Sequence, residues 1–351
     1  MKDTDRILLA HGGGGEMTAR LVEEVILKGL GDACVGSLDD SVVLELAAAP
    51  GSGAKGRTAP TKATAQRIAF TTDSFVVKPL FFPGGDVGRL AVCGTVNDLS
   101  MRGARPIALS LAFIIEEGLE VSVLRRVVES VAEAAHEAGV TIATGDTKVV
   151  ERGSADGLFV NTAGVGIVPD GVEVSLGNAR PGDEVIISGP IGNHAIAVLA
   201  QREGLAFETV VKSDAAPLNR QAGALVARLG ANLHVMNDPT RSGLAMSLNT
   251  ISCASNVAVE IDETAVPVDS AVAFAAEMLG LDVFTLANEG KLVAFVAEGT
   301  AKEAVSVLAA QGAHPAVIGR AKEGRGVSLV TTGGGRRILE APYGEEAPRI
   351  C

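Results

Sequence analysis

The stretch AFTTDSFVVKPLFFPGGDVGRLAVCGTVNDLSMRGARP, residues 69–106, decides how the chain reads. It opens as a β-branched and aromatic strand that gives way to a turn at Asp73. A Pro/Gly segment follows, and then apolar residues at helical spacing that stop at Gly103. One strand, one turn and one helix therefore carry Asp73, Asn97 and Asp98 within a short span of chain.

Working outward, SVVLEL, RIAFTTDSFVV, PIALSLAFII and LFVNTAGVGIV read as strands. SVLRRVVESVAEAAHEAG, residues 122–139, is an amphipathic helix with Val123, Val127, Val131 and Ala134/Ala135 on one face. Ser122 and Gly139 are its expected caps. The segment 48–67, rich in Gly, Ala, Pro and Lys, reads as a mobile surface insertion. A new strand–helix series begins near residue 176 and runs to about 340. The expected organisation is an N-terminal mixed α/β domain over 1–175 and a C-terminal α/β domain over 176–340. A flexible tail over 341–351, with no apolar face to dock, completes it. Its reach, about 3.3 Å per residue, would let a thiol visit two sites.

Composition narrows the function classes. The chain has 351 residues, 47% hydrophobic, with a net charge of −12, no Trp and one Tyr. That charge disfavours nucleic acid, which a basic patch would have to attract. No apolar run reaches the length of a membrane span. The start, MKDTDRILLA, has acids where a signal peptide would keep basic charge and an apolar run of only a few residues, so a cytoplasmic location is expected. Cys34, Cys93 and Cys253 form no metal-binding spacing and read as small buried or half-buried residues. Cys351 follows one proline and two acids in EEAPRIC. Nearby negative charge disfavours its thiolate, which suits a thiol loaded by an enzyme.

Five carboxylates share one setting, where a strand gives way to a turn or helix: Asp40, Asp73, Asp98, Asp146 and Asp238. Taken singly, each reads as a local turn or helix cap. Taken together they point to a metal–nucleotide site, because Mg²⁺ takes carboxylate oxygens and bridges phosphates. Both readings stay open at this level. There is no P-loop, dinucleotide fingerprint, HExxH or GxSxG. HGGGG, with His11 and Gly13, offers backbone N–H groups to a phosphate or serves as a loose helix entry. His11 and His194 either line the site or are satisfied by local backbone.

The residues 69–106, with TGDTKVVE, NDPTRSGLA, LANEGKLVA and the ending PRIC, resemble the HypE family of hydrogenase-maturation carbamoyl dehydratases. The likeness runs through almost the whole chain. VNDLSMRGARP and GDT alone mark the wider superfamily of aminoimidazole ribonucleotide synthetase, selenophosphate synthetase and thiamine-monophosphate kinase. The resemblance implies the synthetase-like two-domain α+β fold, with N-terminal strands joining in a dimer barrel. It implies a homodimer, a HypF carbamoyltransferase that loads Cys351, and a HypC–HypD complex that receives cyanide for the [NiFe]-hydrogenase centre. ATP and Mg²⁺ would drive dehydration of the carbamoylated thiol to a thiocyanate. Glu289 is then the expected base, with Lys148 near the thiocarboxamide. His11, Gly13, Asp73, Asn97, Thr147, Asn193, His194, Thr240 and Arg241 would contact nucleotide. NDPTRSG departs from the family pattern at Asn237, where Arg is expected, and at Ser242, where Gly is expected. The alternatives are a small-molecule kinase or synthetase of the superfamily, and a non-enzymatic carrier of the modified thiol.

Overall fold

The computed structural model describes residues 6–30, 39–46, 66–205, 210–344 and 347–351. Most of the 48–67 insertion and Cys34 lie outside the described residues, and Gln66 and Arg67 already belong to a strand. The first sheet collects β1 (Val42–Leu46), β2 (Gln66–Phe75), β5 (Arg105–Glu116), β6 (Thr141–Val150) and β7 (Leu158–Val168) in the order β1-β2-β7-β5-β6. A small hairpin, β3 (Phe81–Phe82) and β4 (Gly85–Asp86), stands apart from it. β5 and β6 are parallel and the other neighbours antiparallel. Burial alternates without a break along β7, the period of a strand with one face on the core.

That face is covered by α3 (Val87–Met101) and α4 (Val121–Ala138). Asp86 caps α3, its Oδ1 accepting from the N–H groups of Gly88 and Arg89 at 2.8 and 3.0 Å. α3 is enclosed on nearly every side: Leu90, Leu99 and Met101 are fully buried. Each such side chain contributes about 1.5–3 kcal/mol. Its buried polar residues accordingly have partners, with Thr95 Oγ1 2.5 Å from Thr162 Oγ1 and Ser100 Oγ donating to Val96 O. α4 starts one residue before the expected Ser122, at Val121, and Ser122 Oγ donates to Glu120 instead of capping. Gly139 ends the helix at φ 71° as expected.

The second sheet has the order β14-β13-β10-β12-β8-β11-β9. Its strands are β8 (Glu184–Ile187), β9 (Leu233–Asn237), β10 (Ala258–Asp262), β11 (Val293–Val296), β12 (Ala316–Lys322), β13 (Gly326–Val330) and β14 (Arg336–Ile338). β8, β9 and β11 are almost wholly buried, so they read as continuous apolar runs. Helices α5 (Asn193–Glu203), α6 (Asn219–Leu229), α7 (Gly243–Ser255), α8 (Ser270–Leu279) and α9 (Ala301–Ala310) pack around them. Cys93 is buried, but Cys253 is exposed, contrary to its expected burial. Ile251 and Ser252 face the core of α7, and the next residue turns outward.

The tail also departs from expectation. Ile350 is only 2% exposed and joins a core cluster with Phe75, Leu158, Ile196 and Leu286. PRIC holds one large apolar side chain, and a pocket shaped by both halves of the chain takes it.

Candidate active site at the cleft between the two sheets

Long-range folding brings together the ends of β2 and β9, the middle of α3, and the turns at 39–41, 213–218, 238–243 and 286–291. Asp40, Asp73, Asp98 and Asp238 converge there, with Glu289 facing them. Thr71 Oγ1 lies 2.8 Å from Asp98 Oδ2 and 3.0 Å from the Asp40 carbonyl. Burial pushes the carboxyls of Asp98 and Asp238 well above the ordinary range, and the neighbouring acids push them further. Asp40 is pushed up to about 6 by burial, against the opposing hydrogen bond from Asn237. Burial raises Asp73, and the Arg241 guanidinium opposes it. Glu289 is raised well above its ordinary value by burial first, then by Asp73, Asp238 and Asp214.

Two oxygens in this group, Asp238 Oδ2 and Glu289 Oε1, are buried without a hydrogen-bond partner among the described residues. Like charges gathered out of water, with unpartnered oxygens, fit a bound cation. Among the described residues no three His, Cys, Asp or Glu side chains form a ready-made metal cage. That suits Mg²⁺, which usually takes one or two carboxylates and completes its shell with water and phosphate.

The turn after Asp238 carries Thr240 and Arg241, and the N-terminal glycines pack on it. Arg241 Nη1 donates to Gly12 O and Ser242 Oγ to Gly13 O, both at 2.9 Å. Ser242 sits at φ 62°, the left-handed conformation that its replacement of Gly called into question. Its hydroxyl bond to Gly13 helps to offset that strain. Asn237, standing where Arg was expected, donates from Nδ2 to both oxygens of Asp40 at 2.7 and 2.9 Å. His11 is satisfied locally, its Nδ1 accepting from Leu8 N–H at 2.9 Å.

Other expected contacts are used differently. Asn97 Oδ1 accepts from Leu218 N–H at 2.7 Å, and its Nδ2 donates to Ala216 O and Glu289 O at 3.1 and 3.4 Å. With its amide so engaged, Asn97 positions the strap under Glu289. Asn193 Nδ2 donates to Asp269, while its Oδ1 is buried and unpartnered. His194 is fully buried, its Nδ1 2.8 Å from Ser213 Oγ and its Nε2 2.8 Å from the Ile350 carbonyl. It contacts the tail and not the acid group. Burial holds its pKa below the usual histidine value, and donation to the carbonyl sets the Nε2–H tautomer.

Asp146, Thr147 and Lys148 do not join the cleft of this chain. They are exposed on β6, where Lys148 Nζ holds Asp146 at 2.7 and 2.9 Å. Pairing runs Asp146↔Ala112↔Asn161↔Ser74 across the sheet, so this triplet is level with Asp73 but three strands away. At strand spacing that is about 14 Å.

Four residues that sequence reasoning missed, Asp214, Asn288, Lys291 and Arg202, complete the site. Asp214 accepts from Glu289 N–H at 3.3 Å and from Lys291 Nζ at 2.9 Å. Asn288 is buried, with Oδ1 accepting from Gly192 N–H and Nδ2 donating to Pro239 O, both at 2.8 Å. It ties the Asp238 turn to the start of α5. Asn288 and Lys291 flank Glu289 within LANEGK, which was the available signal. Arg202, on the last turn of α5, gave none. It reaches the tail, and a recess lined by Ser242, Leu286, Ala287, Ala347 and Ile350 joins that tail to the loop ending in Glu289.

The AIR synthase related protein N-terminal domain family matches residues 39–168, and the corresponding C-terminal domain family matches residues 180–332. The chain is 47% identical to carbamoyl dehydratase HypE of Rhizobium leguminosarum bv. viciae, covering 99% of this chain and 95% of that one. It is 44% identical to a solved HypE in a HypE–HypF complex, with a TM-score of 0.82, covering 92% of this chain and 99% of that one. It is likewise 44% identical to a hydrogenase maturation protein HypE solved in complex with ATP, with a TM-score of 0.78, covering 99% and 100%.

Proposed function

The chain belongs to the AIR synthase related family and, within it, to the HypE carbamoyl dehydratases; from that premise we propose that it uses ATP to dehydrate a carbamoyl group carried on its own Cys351. The observation that carries the reading is the docked tail. The Cys351 carbonyl accepts from Val76 N–H at 3.0 Å, three residues beyond Asp73. Ile350 and Ala347 line the recess that abuts Leu286 and Ala287. The tail therefore lies against its own chain, beside the segment that follows Asp73 and the loop that leads to Glu289.

The chemistry follows from these neighbours. The oxygen of an S-carboxamide is a poor leaving group until it is phosphorylated. ATP donates its γ-phosphoryl group to that oxygen and leaves as ADP. Breaking the C–O bond then releases phosphate, and loss of the N–H protons completes the C≡N bond of the thiocyanate. Glu289 is the base for this step. Its raised pKa keeps it protonated among the acids, and neutralising Asp73 and Asp238 frees its carboxylate to accept a proton. Arg241 opposes the negative charge on Asp73 and Glu289 and would do the same for a phosphate held beside them. Asp40, Asp73, Asp98 and Asp238 would hold Mg²⁺, whose charge neutralises phosphate oxygens.

The proposed partners are a HypF carbamoyltransferase that loads the thiol and a HypC–HypD complex that accepts the cyanide. The proposed assembly is a homodimer. β6 is an edge strand with Val149 exposed, and Phe70, Ile107 and Ile114 add exposed apolar surface to the same sheet. Asp146, Thr147 and Lys148 lie on that edge, so any role for them is in the site of the assembled dimer. Among the described residues no helix is long and apolar enough to cross a membrane, and the proposed location is the cytoplasm. The test supplies carbamoylated protein with Mg-ATP and follows the mass of the Cys351 peptide. Loss of one water per ATP cleaved is expected; ATP cleavage with an unchanged tail mass would sink the proposal.

A further inference from the structure

Four consecutive tail residues are held by groups that are also anchored elsewhere in the protein. Arg202 Nη1 donates to Pro348 O and Nη2 to Arg349 O, both at 2.7 Å. Its Nε donates to Lys78 O at 2.8 Å. Arg349 Nη1 donates to Asp156 Oδ2 at 2.6 Å, and Arg349 Nε to Val76 O at 2.9 Å. Asp156 Oδ2 also lies 3.0 Å from Lys78 Nζ. The Lys78 and Val76 N–H groups donate to the carbonyls of Arg349 and Cys351 at 3.2 and 3.0 Å. This is the alternate-residue pairing of a short added strand. His194, braced by Ser213, takes the Ile350 carbonyl.

We propose that Arg202 and Asp156, braced by Lys78, form a preassembled clamp that reads Pro348–Cys351 and sets the register in which the Cys351 thiol meets the cleft. They are positioning residues for the dehydration proposed above, and the inference rests on that reading. Two features separate a clamp from a merely packed end. First, every tail-reading side chain of the body keeps a partner there when the tail leaves. Arg202 keeps Lys78 O, Asp156 keeps Lys78 Nζ and His194 keeps Ser213. The groove stays assembled while the thiol is away, and the cost of release falls because, in the body, only main-chain groups of Val76 and Lys78 give up their partners. Second, the recognition is selective by position. The Arg202 bonds read main-chain carbonyls, Asp156 reads one guanidinium, and the Ile350 side chain fills an apolar pocket. A tail shifted by one residue loses the last two together.

The test follows amide hydrogen exchange of Val76 and Lys78, residue by residue, in the full-length protein, with the thermal midpoint as a control on the fold. Arg202→Ala is expected to speed exchange at both amides about tenfold or more. Asp156→Ala, at a partly exposed pair, is expected to speed it about threefold. The double variant Asp156→Ala/Arg349→Ala should exchange no faster than Arg349→Ala alone, because both act through one ion pair. The thermal midpoint should not move. Unchanged exchange in Arg202→Ala overturns the clamp, as do additive effects of Asp156 and Arg349. A lowered midpoint with exchange rising throughout α5 overturns it as well, since Arg202 would then be structural. The readout is docking and not turnover. A protein that clamps its tail without dehydrating it would refute the functional reading and leave the clamp standing.

Discussion

Replacing Glu289 by Gln should change the pH dependence of stability by a predictable amount. Glu289 is 3% exposed, Oε1 has no hydrogen-bond partner among the described residues, and burial with Asp73, Asp238 and Asp214 raises its pKa well above 4.5. In the unfolded chain it titrates near 4.3. Between those two values the folded protein holds a proton that the unfolded protein has released. The unfolded state then binds fewer protons, so stability falls as pH rises, by about 1.4 kcal/mol per pH unit for this one group. Gln has no proton to lose, so the variant lacks that slope. As pH rises above the lower of these values, Glu289→Gln should gain stability relative to the parent, by up to about 1.4 kcal/mol per pH unit. Asp98 and Asp238 carry slopes of the same sign in both proteins, so the difference reads the Glu289 proton together with its coupling to Asp73 and Asp238. Urea unfolding of the nucleotide-free protein at pH 5.0, 5.5 and 6.0 measures it. Parallel stability curves, or a gain that shrinks with pH, would refute the assignment of Glu289 as a carboxyl held protonated by its surroundings. The same variant should lose dehydration of the loaded tail by about a hundredfold or more, because its base is gone.

Two further outcomes test the architecture beneath Glu289. A Cβ added at Gly290 would stand 1.9 Å from Asp214 O and 3.0 Å from Ala216 N. Gly290→Ala should therefore cost about 1–3 kcal/mol in urea unfolding and, by displacing Glu289, slow the loss of water from the tail. Asn97→Ala strands Leu218 N–H and removes a donor from the Ala216 carbonyl, and should cost about 2–4 kcal/mol. A loss below about 0.5 kcal/mol would show that water replaces the amide there and that Asn97 is not a strut.

Much of the fold was legible because it is encoded locally. The alternation of LFVNTAGVGIV is that of β7, residue for residue, and the apolar stripe of residues 122–139 is the buried face of α4. Gly139 marks a helix end because a left-handed residue is needed there. The start of α4 was misplaced by one residue, since Ser122 is as good a cap in isolation as the extended Glu120 that the packing selected. Asp86 as the cap of α3, with Pro83-Gly84-Gly85 before it, is likewise a short-range event.

The acids show where local reading stops. Five looked alike as strand-end aspartates. Asp40, Asp73, Asp98 and Asp238 meet because β2, α3 and β9 converge, whereas Asp146 is carried by strand order to the far edge of the sheet. A motif records the residues on either side of a carboxylate and not its neighbours across a sheet. Asn97, a nucleotide contact by resemblance, and Asp98 face different sides of α3. Asn97 faces the 214–218 strap and Asp98 the acid group.

The amino-acid sequence by itself determined the strands and helices, the family, the acidic residues available for a nucleotide–metal site, and the thiol to be modified. Those depend on side-chain period, turn chemistry and motif identity, which are properties of contiguous residues. Only the tertiary structure decided which acids face one another, that Glu289 is buried among them, and that PRIC is seated. The tail's partners at Val76, Asp156, His194 and Arg202 lie between about 150 and 275 residues away along the chain, joined through the hydrogen bonds of a folded cleft. No periodicity records contacts of that range, and burial and like-charge proximity, which set the protonation of Glu289, exist only once the two sheets have closed on each other.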